Sequence, residues 1–327
     1  MKRYLLRRGL AALFVVWMAP TLVFVILHVI PGDPAQHIAG ELADVKTVAE
    51  VRAKLGLDRP VLVQYLSLLG SIARLDFGTS FSYRYSALRV VVDRFPATLE
   101  LTVVAAVFAI SLAVALGILS ALRRNTWLDY LAKAVALFGL STPSFWLGIM
   151  LILVVSVRLG WLPSMDRSPY SLPVAVWRSL AGEPDVLLRW ARHIVLPAIT
   201  LGAFFTALIA RMTRTEVLEN LGRPFVLMAK AKGQSALGVL WRHVLPNSLI
   251  PIVTIAGVQI GQLLGGALVT EAVFTWPGMG RLIIDAIFAR DFPVIQTAVF
   301  VYACIWVSIN FLVDVLYLAI DPRVTLE

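Results

Sequence analysis

Apolar runs recur along this chain at close to the length of about 20 residues that a helix needs to cross the hydrocarbon core of a bilayer. A soluble core does not need such runs; its buried helices are usually shorter and flanked by amphipathic partners. Six spans fit the pattern, at residues 10–30, 98–122, 131–157, 194–212, 247–270 and 293–318. Composition agrees: 59% of residues are hydrophobic and 15% charged, with a mean hydropathy of +0.83. Soluble domains have roughly 45–50% apolar and about 25% charged residues. The expected fold class is all-α and integral to the membrane.

The formal net charge of +9 raises the question of nucleic acid. No basic stripe with interleaved aromatics occurs in a polar segment, and the cations instead sit beside apolar runs. That is the distribution of the positive-inside rule. Lys2, Arg3, Arg7 and Arg8 place the N-terminus in the cytoplasm. Six spans return the C-terminus to that side, together with Arg123, Arg124, Lys133 and the loop from Arg211 to Arg242. The first apolar run is longer than a signal-peptide core and lacks a small-residue cleavage site, so we read it as a retained helix. Residues 1–30 then form a cytoplasmic tip and first span, 31–97 an extracytoplasmic segment, and 98–327 a core. In the outer segment, Val45, Val48, Val51 and Leu55 share one helical face, and Val61, Tyr65, Leu68 and Ile72 another after Pro60. Residues 158–193 form a second outer loop, broken by prolines, with Trp161, Trp177 and Trp190 expected at the membrane interface.

No catalytic constellation stands out. There is no G-x-x-x-x-G-K-[ST] loop, so ATP hydrolysis by this chain is not expected. H-E-x-x-H and G-x-S-x-G are absent as well. His28, His37, His193 and His243 are scattered, and no Cys/His spacing suits a metal. Cys304, alone in an apolar run, reads as packing. Asp314 shares a helix face with Asn310; a structural hydrogen bond is the favoured reading over a proton relay.

The stretch from Pro224 to Pro251 is too regular for a plain connector. A helix over 225–232, a break at Gly233, a second helix over 235–244 with Leu237, Leu240 and Trp241 on one side, and Pro246 at the start of the fifth span together make an elbow. Ala229 and Ala231 permit close contact, and Lys230 and Lys232 face solvent or acidic partner groups. From these properties alone the elbow either rests on lipid headgroups or docks a partner.

Ala229, Ala231, Lys232, Gly233, His243, Leu245, Pro246, Asn247 and Leu249-Ile250-Pro251 resemble the loop through which permease subunits of ABC importers engage their ATPases, in its dipeptide/oligopeptide form. Leu227, Met228 and His243 depart from the general form of that motif, E-A-A…G…I-x-L-P. The resemblance spans nearly the whole chain. It includes Ile30-Pro31-Gly32-Asp33-Pro34, Leu55-Gly56-Leu57-Asp58-Arg59-Pro60, Gly78-Thr79-Ser80 and Pro96-Ala97-Thr98-Leu99-Glu100. Ser144-Phe145-Trp146-Leu147-Gly148, Trp276-Pro277-Gly278 and Asp321-Pro322-Arg323-Val324 continue it. It implies a type I permease with its coupling loop at 213–246, paired with a second permease subunit. It also implies two cytoplasmic ATPases that hold ATP and Mg, an external solute-binding protein, and no cofactor on this chain. Relatives of this type import dipeptides, oligopeptides, glutathione or nickel.

In the fifth span Gly257, Gly261 and Gly265 form a smooth stripe, with Gln259, Gln262 and Thr270 roughly opposite. The stripe is expected to pack against a neighbouring span. The polar face either lines the pathway or hydrogen-bonds between helices. In the third span, Ser141-Thr142-Pro143-Ser144 predicts a kink. A stand-alone ion-coupled transporter or channel is the alternative function; it would usually show inverted repeats or several intramembrane charges.

Overall fold

A computed structural model of the chain describes residues 2–29, 34–39, 43–54 and 56–320. Ile30 to Asp33, Leu55, Asp321 to Val324 and the side chains of Pro34, His37, Ile250 and Asp314 lie outside the described residues, and with them parts of the motifs above.

The described residues are helical, in the order α1 (Lys2–Val29), α2 (Pro34–Ala39), α3 (Val45–Lys54), α4 (Val61–Arg74) and α5 (Ala87–Leu122), then α6 (Trp127–Ser141), α7 (Ser144–Leu151), α8 (Leu172–Leu180), α9 (Pro184–Leu221) and α10 (Pro224–Ala231), and finally α11 (Ala236–Val239), α12 (Leu245–Val273), α13 (Met279–Phe288) and α14 (Phe292–Ile320). Within α1, α5, α9, α12 and α14 lie stretches long and apolar enough to cross a membrane, and α6 with α7 makes a sixth if a bent pair counts as one span. Five of the six expected spans are therefore present as single helices, and the one expected at 131–157 corresponds to the bent pair α6 and α7. The helices of the second and fourth overrun them, α5 beginning at Ala87 and α9 running from Pro184 to Leu221.

The third span is broken rather than kinked. Pro143 disfavours helical backbone at the residue before it, and Thr142 is extended at φ −92, ψ 125. The helix restarts at Ser144 bent by 110°. After Leu151 the ladder widens into a π segment, Ile152–Arg158.

The chain forms two compact units. One contains residues 1–96 and 278–308. Its core joins Phe77, Val90 and Val91 to Met279, Leu282, Ile283, Val294 and Ile295. Buried Asp291 organises it: Ser80 Oγ donates to its carboxylate at 2.5 Å and Ser82 N at 3.0 Å. That gives the Gly78-Thr79-Ser80 motif a structural reason. His28 bonds Phe24 O through Nδ1 at 2.8 Å and pairs with Gln64 Oε1 through Nε2 at 3.1 Å, tying α1 to α4. On α4, Leu68 is buried and Tyr65 and Ile72 half-buried as their spacing predicts, while Val61 is exposed.

The other unit contains residues 97–277 and is organised around α9, which touches α6, α7, α8 and α12. Leu101, Ala105 and Ala109 of α5 pack with Ile194, Ala198, Leu201 and Phe205 of α9 and with Leu263 and Ala267 of α12. Small residues let the backbones close in, as transmembrane packing requires. A Cβ on Gly202 would lie 3.1 Å from Ala105 O, and one on Gly117 only 2.5 Å from Thr213 Cβ. Trp190 is not exposed as an interfacial side chain would be. It is 8% exposed, and its Nε1 donates to Glu100, which also accepts from Arg167 and from Leu172 N. A tryptophan that can hand its one N–H to a buried carboxylate has no need of the headgroup layer. Trp161 and Trp177 are exposed as expected.

Candidate functional site

The elbow begins where α9 ends. Pro224, whose missing N–H costs nothing in a first turn, starts α10. Gly233 closes it at φ +79, with Gly233 N donating to Lys230 O at 2.9 Å and Gln234 N to Ala229 O at 3.3 Å. Glycine adopts this left-handed turn without the Cβ penalty other residues meet. Ser235 caps α11, its Oγ accepting from Gly238 N at 3.2 Å.

Pro246 does not separate the elbow from the fifth span. The helix is continuous from Ala236 through α11, a π segment at Leu240–Val244, and α12. The widened ladder lies just before Pro246, whose ring has no N–H to offer and crowds the carbonyl one turn back. A load on the elbow therefore passes into the fifth span along one helix.

The elbow is anchored on one side and bare on the other. Val226, Ala229, Val239, Leu240, Val244 and Leu245 are buried against Val217 of α9 and Ala121 of α5. Leu237, Leu240 and Trp241 do not share one environment: Leu240 is buried, while Leu237 and Trp241 are each 67% exposed. Leu227 and Met228 are exposed as well, beside exposed Lys230, Ala231, Lys232 and Gly233. His243 Nε2 meets Gln234 Oε1 at 2.9 Å, latching the glycine turn to the second helix. Asn220 Nδ2 donates to Ser248 Oγ at 3.1 Å, joining the end of α9 to the start of α12. Pro246 is exposed.

Below the elbow, buried Asp129 gathers three helices. Arg214 of α9 reaches both its oxygens, at 2.9 and 3.1 Å, Ser120 of α5 donates at 2.5 Å, and Lys133 at 3.0 Å. The sequence assigned no role to Asp129, to Glu100, which it marked only within the Pro96–Glu100 motif, to Gln234 or to the Asn220–Ser248 pair. A carboxylate at the edge of an apolar run was the available signal for the first two. For the others, 28 residues apart in the case of Asn220 and Ser248, there was none.

The fifth span is arranged differently from its helical wheel. Val258, Gln262, Gly265 and Val269 form its exposed stripe. Gly261 is buried and Gly257 half-buried, but a Cβ on Gly265 would meet nothing within 4 Å. Gly265 thus sits beside Gln262 on the open face. Thr270 is fully buried and does not share that face. Gln259 is half-buried, and its Oε1 lacks a hydrogen-bond partner among the described residues.

An exposed apolar tip on an anchored elbow, continuous with a long apolar helix, fits an integral membrane permease with an uncovered surface at one end. The fold is shared with the membrane part of the inward-facing methionine ABC transporter MetNI. In two crystal forms it aligns with TM-scores of 0.55 and 0.53 at 20% and 19% identity, covering 71% and 69% of this chain and 96% and 93% of the other. The chain belongs to the family of binding-protein-dependent transport system inner membrane components, which it matches over residues 113–326, with the family's N-terminal part matched over residues 1–102. It is similar to the dipeptide transport system permease protein DppB of Alkalihalophilus pseudofirmus, 41% identical over 99% of each chain. It is likewise similar to the glutathione transport system permease protein GsiC of Escherichia coli and of Salmonella typhimurium, 39% identical over 99% of each chain. This is thus a multi-pass inner-membrane permease of type I fold. It serves a binding-protein-dependent ABC importer, a class that works with an ATPase and a solute-binding protein.

Proposed function

We propose that the chain imports short peptides or a peptide-like solute, as one half of a permease pair with a second, related subunit. The relatives' names for dipeptide and glutathione support the substrate class. In this reading both termini face the cytoplasm and the elbow projects there. Two ATPase subunits, which hold ATP and Mg, dock on it. This chain supplies the moving membrane element and no hydrolytic chemistry, and alternating access carries the solute past the Gln262 face of α12.

The observation that carries the proposal is the elbow itself, buried along one side and presenting Leu227, Met228, Leu237 and Trp241 uncovered on the other. Exposed apolar patches of this kind mark interaction sites. The test is purification through a tag on this chain, followed by reconstitution with its binding protein. The expected result is co-purifying ATPase and second permease subunits, with ATP-dependent uptake of a dipeptide or glutathione. Ion-gradient-driven uptake by this chain alone would overturn it.

A further inference from the structure

Between α5, α6 and α9 lies a second surface, a groove of about 370 Å³. Its floor is apolar, made by Leu116, Gly117, Ala132, Ala136, Leu137 and Leu140. Its rim is cationic, with Lys133, Arg211 and Arg214 lining it against the single carboxylate of Asp129 that Lys133 and Arg214 already engage. Arg214 spends two of its five donors on Asp129. Arg211 is exposed and has no ion pair among the described residues. Exposed Arg123 and Arg124 follow α5 directly. The charge on the rim thus exceeds what Asp129 neutralises.

The groove has the polarity of a lipid and not of a water-soluble ligand. Cations occupy one end. From Lys133 to Leu140 the floor runs along seven residues of helix, roughly 10 Å at 1.5 Å per residue, into the apolar part of α6. Exposed Trp127 and Tyr130 in the first turn of the same helix mark headgroup depth. Basic pockets between transmembrane helices at the cytoplasmic surface bind anionic headgroups. We propose that this groove is a binding site for an anionic phospholipid. Its phosphate sits among Lys133, Arg211 and Arg214, and an acyl chain lies on the alanine and leucine floor. The proposal rests on the inward orientation given above. A bound lipid would lie against α5 and α9, the two helices on which the elbow packs, so its occupancy would be felt where force enters the fifth span.

The test uses the assembled transporter in nanodiscs of phosphatidylcholine with or without phosphatidylglycerol, read by native mass spectrometry after detergent release. Arg211→Gln removes a rim charge that holds no structural partner, and Ala136→Phe fills the floor. The expected result is phosphatidylglycerol retained in preference to phosphatidylcholine. Arg211→Gln should reduce that retention roughly fivefold, the factor matching about 1 kcal/mol per basic residue at an anionic membrane surface. Ala136→Phe should abolish retention while the complex stays assembled. Equal retention of both lipids would overturn the proposal, as would retention unchanged in both variants. So would crosslinking of a photoreactive residue placed at position 136 to the second permease subunit, which would identify that subunit as the occupant. Topology labelling of the same complex separates failure of this idea from failure of the orientation.

Discussion

At Gly233 the backbone carries a φ of +79 with open space around the position where a Cβ would stand. Any side chain is therefore opposed by the backbone and not by neighbours, at about 1–2 kcal/mol for a left-handed L-residue. Gly233→Val, branched at Cβ, should leave insertion and assembly intact but abolish uptake and its stimulation of ATP hydrolysis in proteoliposomes. Wild-type uptake would make the elbow a passive connector. The His243–Gln234 latch can be dissected separately. His243→Ala and Gln234→Ala should each lower coupled uptake several-fold, and the double variant should be no worse than either, because one shared contact is lost only once. Additive losses would mean that the two side chains act on different things. The sequence marked Gly233 and His243 through their motif spacing. It could not mark Gln234, whose significance comes from a turn that brings it back to a residue nine positions away.

Among the elements, the places of the apolar spans were legible because hydrocarbon demands long apolar runs whatever packs against them, but the overrunning ends of α5 and α9 and the break after Ser141 were not. Which face of a helix is covered was not. The fifth span shows this: small residues at four-residue spacing were expected to make one packing stripe, yet Gly261 is buried while Gly265 is open beside Gln262. Glycine permits close approach, but only a neighbour produces one. The contrast is measurable. Gly117→Ala places a carbon 2.5 Å from Thr213 Cβ and 2.8 Å from Ala210 O. It should lower the thermal midpoint of the purified complex, at a cost of about 1–3 kcal/mol for overpacking. Gly265→Ala should leave this chain's stability unchanged. Equal effects would mean that α5 and α9 can separate freely. The third span teaches a related lesson. Pro143 announced a disturbance, but the 110° bend depends on how the two halves pack, since α7 carries buried Gly148 against Phe274 and Thr200.

For the whole molecule, orientation is the property most open to test. In a Cys304→Ser background, Ser67→Cys in α4 and Ala236→Cys in the elbow should react with a membrane-impermeant thiol reagent from opposite sides. Reaction of both from outside would end the six-span arrangement with inward termini. In the same background Gln262→Cys should label with a small soluble reagent in at least one nucleotide state, and Thr270→Cys in none, because Thr270 is fully buried. The sequence by itself determined that this chain crosses a bilayer, where its spans lie, where its elbow turns and which family it joins. Each of these depends on local hydrophobicity, on cation placement or on residues close together in the chain. Only the tertiary structure decided that Trp190 serves buried Glu100, that Asp129 draws α5, α6 and α9 together, and that the elbow runs unbroken through Pro246 into the fifth span. Those arrangements arise from contacts between distant segments. There a buried charge or carbonyl must find its partner, and no periodicity along the chain says which segment will supply it.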